Sequence, residues 1–113
     1  DTLSDQTLPR IRERRAQTPL PAVSDLVQRR DPAVPARPPV SVRVHRPVAA
    51  QGPRPCIYWM HGGGLVLGTN LADDARFDAW CPALDCMAAS VEYSLAPEAK
   101  YPEPLEDCYA GLA

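Results

Sequence analysis

An unbroken apolar run that leads directly into glycines constrains this chain more than any other feature. Residues Cys56–Met60 are followed at once by His61-Gly62-Gly63-Gly64. A short apolar run without alternation is typical of a strand covered on both faces, as in a parallel sheet flanked by helices. Consecutive glycines after a strand let the backbone approach a ligand closely and turn its N–H groups toward one point. The pattern predicts a buried strand that ends in a backbone site for negative charge.

Periodicity elsewhere predicts a sheet with helices between its strands. Residues 40–46 alternate apolar and polar side chains, which indicates a half-buried strand. Residues 73–84 carry a helical period with acids in the first turn, and Met87–Tyr93 is typical of a buried strand. Weaker signals predict a helix over residues 8–17, an extended segment over 26–30, a proline-rich loop over 31–39 and a helix over 105–113. This order predicts an α/β fold with one βαβ crossover and an extra strand ahead of it.

The N-terminal half differs from the rest in proline content and charge. Many of the 14 prolines fall there, and residues 1–54 hold ten arginines against five acids. The remainder holds two basic residues against nine acids. The first arginines alternate with Ile11 and Glu13 without interleaved aromatic residues, so nucleic acid is the weaker interpretation. A solvated helix face, or an arm that packs on the acidic remainder, is favoured.

The four cysteines give no sign of a metal site, because they lack the paired spacing of zinc ligands. No metal and no cofactor is therefore expected. Cys56 and Cys108 lie in apolar runs typical of buried reduced thiols, while the spacing of Cys81 and Cys86 suits a helix end better than a disulfide. No apolar stretch reaches the roughly 18 residues of a membrane span. No signal-peptide pattern opens the chain, so the default expectation is a soluble cytoplasmic protein.

Two signatures stand together in the second half of the chain. The first is the His61–Gly64 loop after a buried strand. The second is Tyr93-Ser94-Leu95-Ala96-Pro97-Glu98, followed by Tyr101-Pro102 and Leu105-Glu106-Asp107. At this separation they resemble the hormone-sensitive-lipase-like group of α/β-hydrolase esterases. The resemblance implies an incomplete α/β-hydrolase fold, with the N-terminal strands and first crossover helix of a mostly parallel sheet. Residues 1–25 would form an N-terminal cap arm, and residues 26–113 the N-terminal part of the core.

The resemblance also implies a function and a site. The chain is expected to belong to a serine carboxylesterase acting on small to medium acyl esters. The N–H groups of Gly63 and Gly64 would donate to the oxyanion, with His61 and Gly62 supporting the loop. The family's serine nucleophile lies in a Gly-x-Ser-x-Gly elbow on the next strand, and no such pattern occurs here. We therefore expect an N-terminal fragment, inactive without the C-terminal part of the enzyme. Family members often pair through edge elements, so a homodimer is a further expectation.

Other polar residues receive structural interpretations. Leu65 replaces a common aromatic residue of the family, and Ser94 replaces an arginine. His45 is expected on the solvated face of its strand. Ser90 and Ser94 lack the elbow context of a nucleophile. Carboxylates are expected to cap helices or anchor loops, not to ligate metal, at Asp73, Asp74, Glu98 and Asp107.

Two rival functions remain open on the sequence. One is a non-catalytic small-molecule-binding protein on the same fold, which a serine in the elbow of the next strand would exclude. The other is a nucleotide-binding module that uses the glycine loop. That module predicts a Gly-Lys-Ser/Thr or G-x-G-x-x-G pattern, and neither is present.

Overall fold

The computed structural model describes residues 2–20, 22–36 and 38–113. The helices and strands over these residues are α1 (Leu8–Gln17), β1 (Val27–Arg30), β2 (Ala33–Val34), β3 (Val40–Pro47), β4 (Cys56–Met60), α2 (Asp74–Leu84), β5 (Met87–Glu92) and α3 (Glu103–Leu112). All but β2 were predicted to within about two residues; β2 lies inside the predicted proline-rich loop. Asp1, Pro21 and Arg37, which belong to the counts of charge and proline above, lie outside the described residues.

The strands form one mixed sheet in the order β1–β3–β5–β4, with β2 paired to β3. Strands β4 and β5 are parallel and joined through α2, which confirms the predicted βαβ crossover. Strand β3 is antiparallel to β1, β2 and β5. Parallel strands end at the same edge of a sheet. The segments that follow β4 and β5 therefore lie side by side.

Helices cover both faces of the sheet. On the face toward α2, the buried core consists of Val27, Phe77, Cys81, Cys86 and Ala88. On the face toward α3, it consists of Val40, Val42, Val91 and Tyr93. The division follows from strand alternation. Val42 pairs with Val91 on one face, while the next pair, Arg43 with Ser90, points to the other.

The prediction of a solvated His45 is wrong. This side chain is 0% exposed, and its ring centroid lies 4.9 Å from that of Phe77 on α2. Strand β3 lies between two other strands, and α2 covers the face that carries its polar residues. No residue of β3 is exposed, so the strand is more deeply enclosed than its alternating pattern indicates.

Strand β4 is less covered than its apolar sequence predicts. Ile57 and Trp59 pack toward α2 and Tyr58 toward α3, as expected for a strand between two layers. In the described part of the chain β4 pairs with β5 alone, however, and its two end residues are exposed. The prediction of a buried Cys56 is therefore wrong. Cys108 is half-buried, Cys81 and Cys86 are buried, and all four thiols are free.

Candidate functional site

The segment that follows β4, here called the glycine loop (His61–Gly68), has an unusual backbone. The φ angles of Gly63, Gly64 and Gly68 are 139°, 65° and 99°, and that of Leu65 is 65°. Positive φ is accessible to glycine, whereas a side chain makes this region unfavourable by about 1–2 kcal/mol. Leu65 occupies the region despite that penalty. The loop therefore depends on its glycines for its shape.

At two of these positions a side chain would also clash with neighbouring atoms. A Cβ atom on Gly63 would lie 1.9 Å from the carbonyl oxygen of Leu67. One on Gly68 would lie 2.5 Å from the Gly62 oxygen and 2.6 Å from Nδ1 of His61. Gly62 and Gly64 face open space. Gly68 is thus a structural part of the loop that the four-residue motif does not include.

Hydrogen bonds inside the loop use the carbonyl of Gly63 and leave two amides free. The N–H groups of Val66 and Leu67 donate to the Gly63 oxygen at 3.3 and 3.0 Å. Within the described residues, the N–H groups of Gly63 and Gly64 donate to no protein acceptor. Adjacent free amides in a turn of this kind are suited to an oxyanion.

His61 is buried and holds the start of the loop. Its ring stacks on Tyr93 with centroids 4.3 Å apart, and Nδ1 donates to the Gly62 carbonyl at 3.0 Å. The Tyr93 hydroxyl donates to the His61 carbonyl at 2.5 Å. Burial opposes a charged ring, but the contacts of His61 with Glu92 and with the Gly62 carbonyl outweigh it, so its pKa lies above the usual value.

Glu92 is a member of the site that sequence reasoning missed. Its Oε1 lies 3.4 Å from Nε2 of His61 and accepts the backbone N–H of Asn70 at 3.2 Å. Asn70 is buried, and its side-chain amide donates to the Ser90 carbonyl at 3.0 Å. The last residue of β5 thereby places a carboxylate beside the histidine that follows β4. Only the parallel pairing of the two strands brings these residues together.

Arg12 on α1 is the second residue that sequence reasoning missed. Its Nε donates to the Val66 carbonyl in the glycine loop at 3.0 Å. Its terminal nitrogens donate to the Ala96 carbonyl at 2.7 Å and to both oxygens of Glu98 at 2.7 and 2.6 Å. The helix that carries Arg12 is therefore an arm packed on the remainder of the chain, which agrees with the arm interpretation of the basic segment.

A mostly apolar groove of about 670 Å³ opens beside the loop. Met60, Leu65, Tyr93, Pro97, Tyr101 and Leu105 contribute to its lining. His61 also borders it at the loop end. A groove with an apolar wall that includes Leu65 of the glycine loop suits an acyl or alkyl group.

The remaining polar residues of interest have structural contacts. Ser94 donates its N–H and its hydroxyl to Asp107 at 2.9 and 2.5 Å, which anchors the segment after β5 as predicted. Asp73 accepts from the Trp59 indole at 3.0 Å, and Asp74 pairs with Arg43 at 2.9 Å. In residues 2–20, 22–36 and 38–113, no group of three or more candidate ligands is placed to hold a metal ion. No helix in these ranges is long and apolar enough to cross a membrane.

Comparison with known proteins agrees with this geometry. Residues 57–113, which include the glycine loop, α2, β5 and α3, match the sequence model of the family described as alpha/beta hydrolase fold. The chain belongs to the α/β-hydrolase family. It is 39% identical over 64 residues to the hormone-sensitive lipase of Homo sapiens, a match that covers 57% of this chain and 6% of that protein. It is 36% identical over 75 residues to an AB hydrolase superfamily protein of Schizosaccharomyces pombe, covering 65% of this chain and 22% of that protein.

Solved α/β-hydrolase structures resemble nearly the whole chain. A bacterial heroin esterase superposes with a TM-score of 0.76 at 33% identity, covering 95% of this chain and 34% of that one. The esterase LipW of Mycobacterium marinum superposes with a TM-score of 0.79 at 28% identity, covering 96% and 36%. The chain therefore spans about a third of the length of these esterases. The relatives named here are a lipase, an AB hydrolase superfamily protein and two esterases.

Proposed function

We propose that this chain supplies the oxyanion-hole loop of a serine carboxylesterase that acts on small to medium acyl esters. The observation that carries the proposal is the pair of unused amides at Gly63 and Gly64, next to the hydrogen-bonded carbonyls of Gly62 and Gly63. The apolar groove beside them suits the acyl or alkyl part of an ester. The esterases and lipases among its relatives favour acyl transfer over other uses of an anion site.

The reaction also requires a serine in a Gly-x-Ser-x-Gly elbow, a pattern that does not occur in this sequence. A histidine base would take the proton of a serine, whose oxygen attacks the ester carbonyl and forms a tetrahedral oxyanion. Gly63 and Gly64 would donate to that oxyanion, and each such donor is worth about 2.7–4 kcal/mol of transition-state stabilisation. His61 supports the loop and is not the base, since its ring is enclosed by Tyr93, Glu92 and the Gly62 carbonyl. In this proposal the serine, the base and its carboxylate partner would come from residues outside this sequence.

A reactive serine in the full-length protein is the test. We expect the product of the longest reading frame that contains these residues to hydrolyse p-nitrophenyl acetate and to be labelled on one serine by a fluorophosphonate. The 113 residues alone should do neither. Full-length protein that binds small esters without labelling would instead favour the non-catalytic binding protein.

We also propose a cytoplasmic location for the protein. Its four cysteines are all free, including the neighbouring pair Cys81 and Cys86. Reduced thiols are the norm where glutathione and thioredoxin operate. Treatment of the full-length protein with an alkylating agent and no reductant should alkylate all four thiols, and a native disulfide would contradict this location.

A further inference from the structure

The two proposed donor amides belong to peptide units whose carbonyls are already hydrogen-bonded. A peptide unit is planar, with its C=O and N–H pointing in opposite directions. The Gly63 N–H shares a unit with the Gly62 carbonyl, which accepts from His61. The Gly64 N–H shares a unit with the Gly63 carbonyl, which accepts from Leu67. Fixing each carbonyl therefore fixes the direction of the amide opposite to it.

The second of these peptide units is connected to Arg12. The Leu67 N–H belongs to the same unit as the Val66 carbonyl, and that carbonyl accepts Nε of Arg12 at 3.0 Å. The sequence of bonds thus runs from the guanidinium through Val66–Leu67 to Gly63–Gly64. Hydrogen bonds in series polarise one another, so a cation at one end strengthens the donor at the other.

The geometry at Arg12 requires a guanidinium. One side chain bonds three groups in different directions: the Val66 carbonyl, the Ala96 carbonyl and the Glu98 carboxylate. A lysine ammonium, being a single point of charge, does not span such a set. Arg12 itself is held by Glu98, whose pKa the arginine lowers. The arm, the glycine loop and the segment after β5 all converge on this one residue.

We infer that Arg12 is a positioning residue of the proposed esterase, which acts through the Val66–Leu67 peptide to orient and polarise the Gly64 N–H toward the oxyanion. The inference rests on the proposed function. It assigns the N-terminal arm a part in the chemical step, since α1 carries the cation that orients and polarises the Gly64 N–H.

The test compares Arg12→Lys with Arg10→Lys in the full-length protein. Arg10 lies on the same helix and is exposed, which makes it a matched control. With p-nitrophenyl acetate, and with active sites titrated by a fluorophosphonate, Arg12→Lys should lower kcat about tenfold while KM stays near that of wild type. Arg10→Lys should leave both unchanged. If Arg12→Lys does not fold, Arg12→Gln replaces it. The same decrease in kcat is expected for that variant.

Amide hydrogen exchange over residues 62–68 supplies a readout that needs no turnover. Exchange should be faster in Arg12→Lys than in Arg10→Lys, because the Val66 carbonyl loses the hydrogen bond from Nε of Arg12. Unchanged kcat per titrated serine, or unchanged exchange, would overturn the inference. If the fluorophosphonate labels no serine in the wild-type protein, the proposed function is wrong. The exchange comparison alone would then decide whether Arg12 holds the loop.

Discussion

His45 and His61 are both buried, yet they are enclosed in opposite ways. The ring of His45 packs against Phe77, and neither of its nitrogens has a hydrogen-bond partner in the described residues. Its nearest carboxylate, Asp74, lies 3.7 Å away. The ring of His61 stacks on Tyr93, and Nδ1 bonds the Gly62 carbonyl. His45 fills space in the core, whereas His61 fixes a backbone unit of the candidate site.

The two rings also differ in their preferred charge. Burial lowers the pKa of His45, with Asp74 opposing it only in part. The pKa of His61 is raised, because the nearby Glu92 carboxylate and the hydrogen-bonded Gly62 carbonyl overcome the same effect of burial. Burial alone therefore does not mark a histidine as functional. The hydrogen bond from the His61 ring to the backbone of the glycine loop is the more informative observation.

The largest effect is expected from the backbone that His61 supports. Gly63→Ala places a methyl group against the Leu67 carbonyl at a φ of 139°, so the loop must move. A displacement of the donors by about 1 Å costs about a hundredfold in kcat. Gly62→Ala, whose added methyl meets open space, should retain most of the activity. Ester hydrolysis by the full-length variants measures the difference, and equal losses at both positions would show that the loop does not depend on the shape described.

Replacing each histidine by leucine, which is similar in volume, tests the comparison directly. His61→Leu should lower the free energy of unfolding by about 1–3 kcal/mol, because it leaves buried polar groups without a partner. His45→Leu should change it by less than about 1.5 kcal/mol, since no hydrogen bond is lost. Urea denaturation of the full-length protein gives both values. A larger loss for His45→Leu would reverse the roles assigned to the two rings.

The smallest effect is a difference in pH dependence. Because the pKa of His61 is raised in the folded state, protonation of this ring stabilises the fold, fully so below the unfolded pKa of about 6.5. This stabilisation is lost as the pH rises through the folded pKa. The lowered pKa of His45 has the opposite sign, because protons favour the unfolded state as pH falls below about 6.5.

The free energy of unfolding of wild type should therefore exceed that of His61→Leu by more at pH ~5.5 than at pH ~9. Relative to His45→Leu, wild type should lose stability as the pH falls. Urea midpoints across this range measure both trends. Parallel curves for the three proteins would contradict the assigned protonation states.

Local patterns predicted most of the fold. The crossover through α2 and the bounds of β4 and β5 follow from apolar periodicity, which depends only on neighbouring residues. His45 was misplaced because alternation shows that two faces differ, but not that α2 covers the polar one. Cys56 was misplaced for a related reason, since an apolar sequence does not show that β4 lies at an edge of the described sheet.

The contacts that hold the glycine loop were harder to predict than the loop itself. The glycines form a contiguous pattern, whereas Glu92 reaches His61 only through the pairing of β4 with β5. Arg12 was read as one member of a basic segment, because nothing in its neighbours distinguishes it from Arg10. Contacts that depend on tertiary placement leave no local signal.

The contacts of Arg12 also set an order of events during synthesis. Its partners Val66, Ala96 and Glu98 follow it by 54, 84 and 86 residues. Since a chain leaves the ribosome N-terminus first, the arm is made before all three partners and has no complete binding place until Glu98 has been added. The contacts of Arg12 therefore stay incomplete until at least 86 further residues have been synthesised.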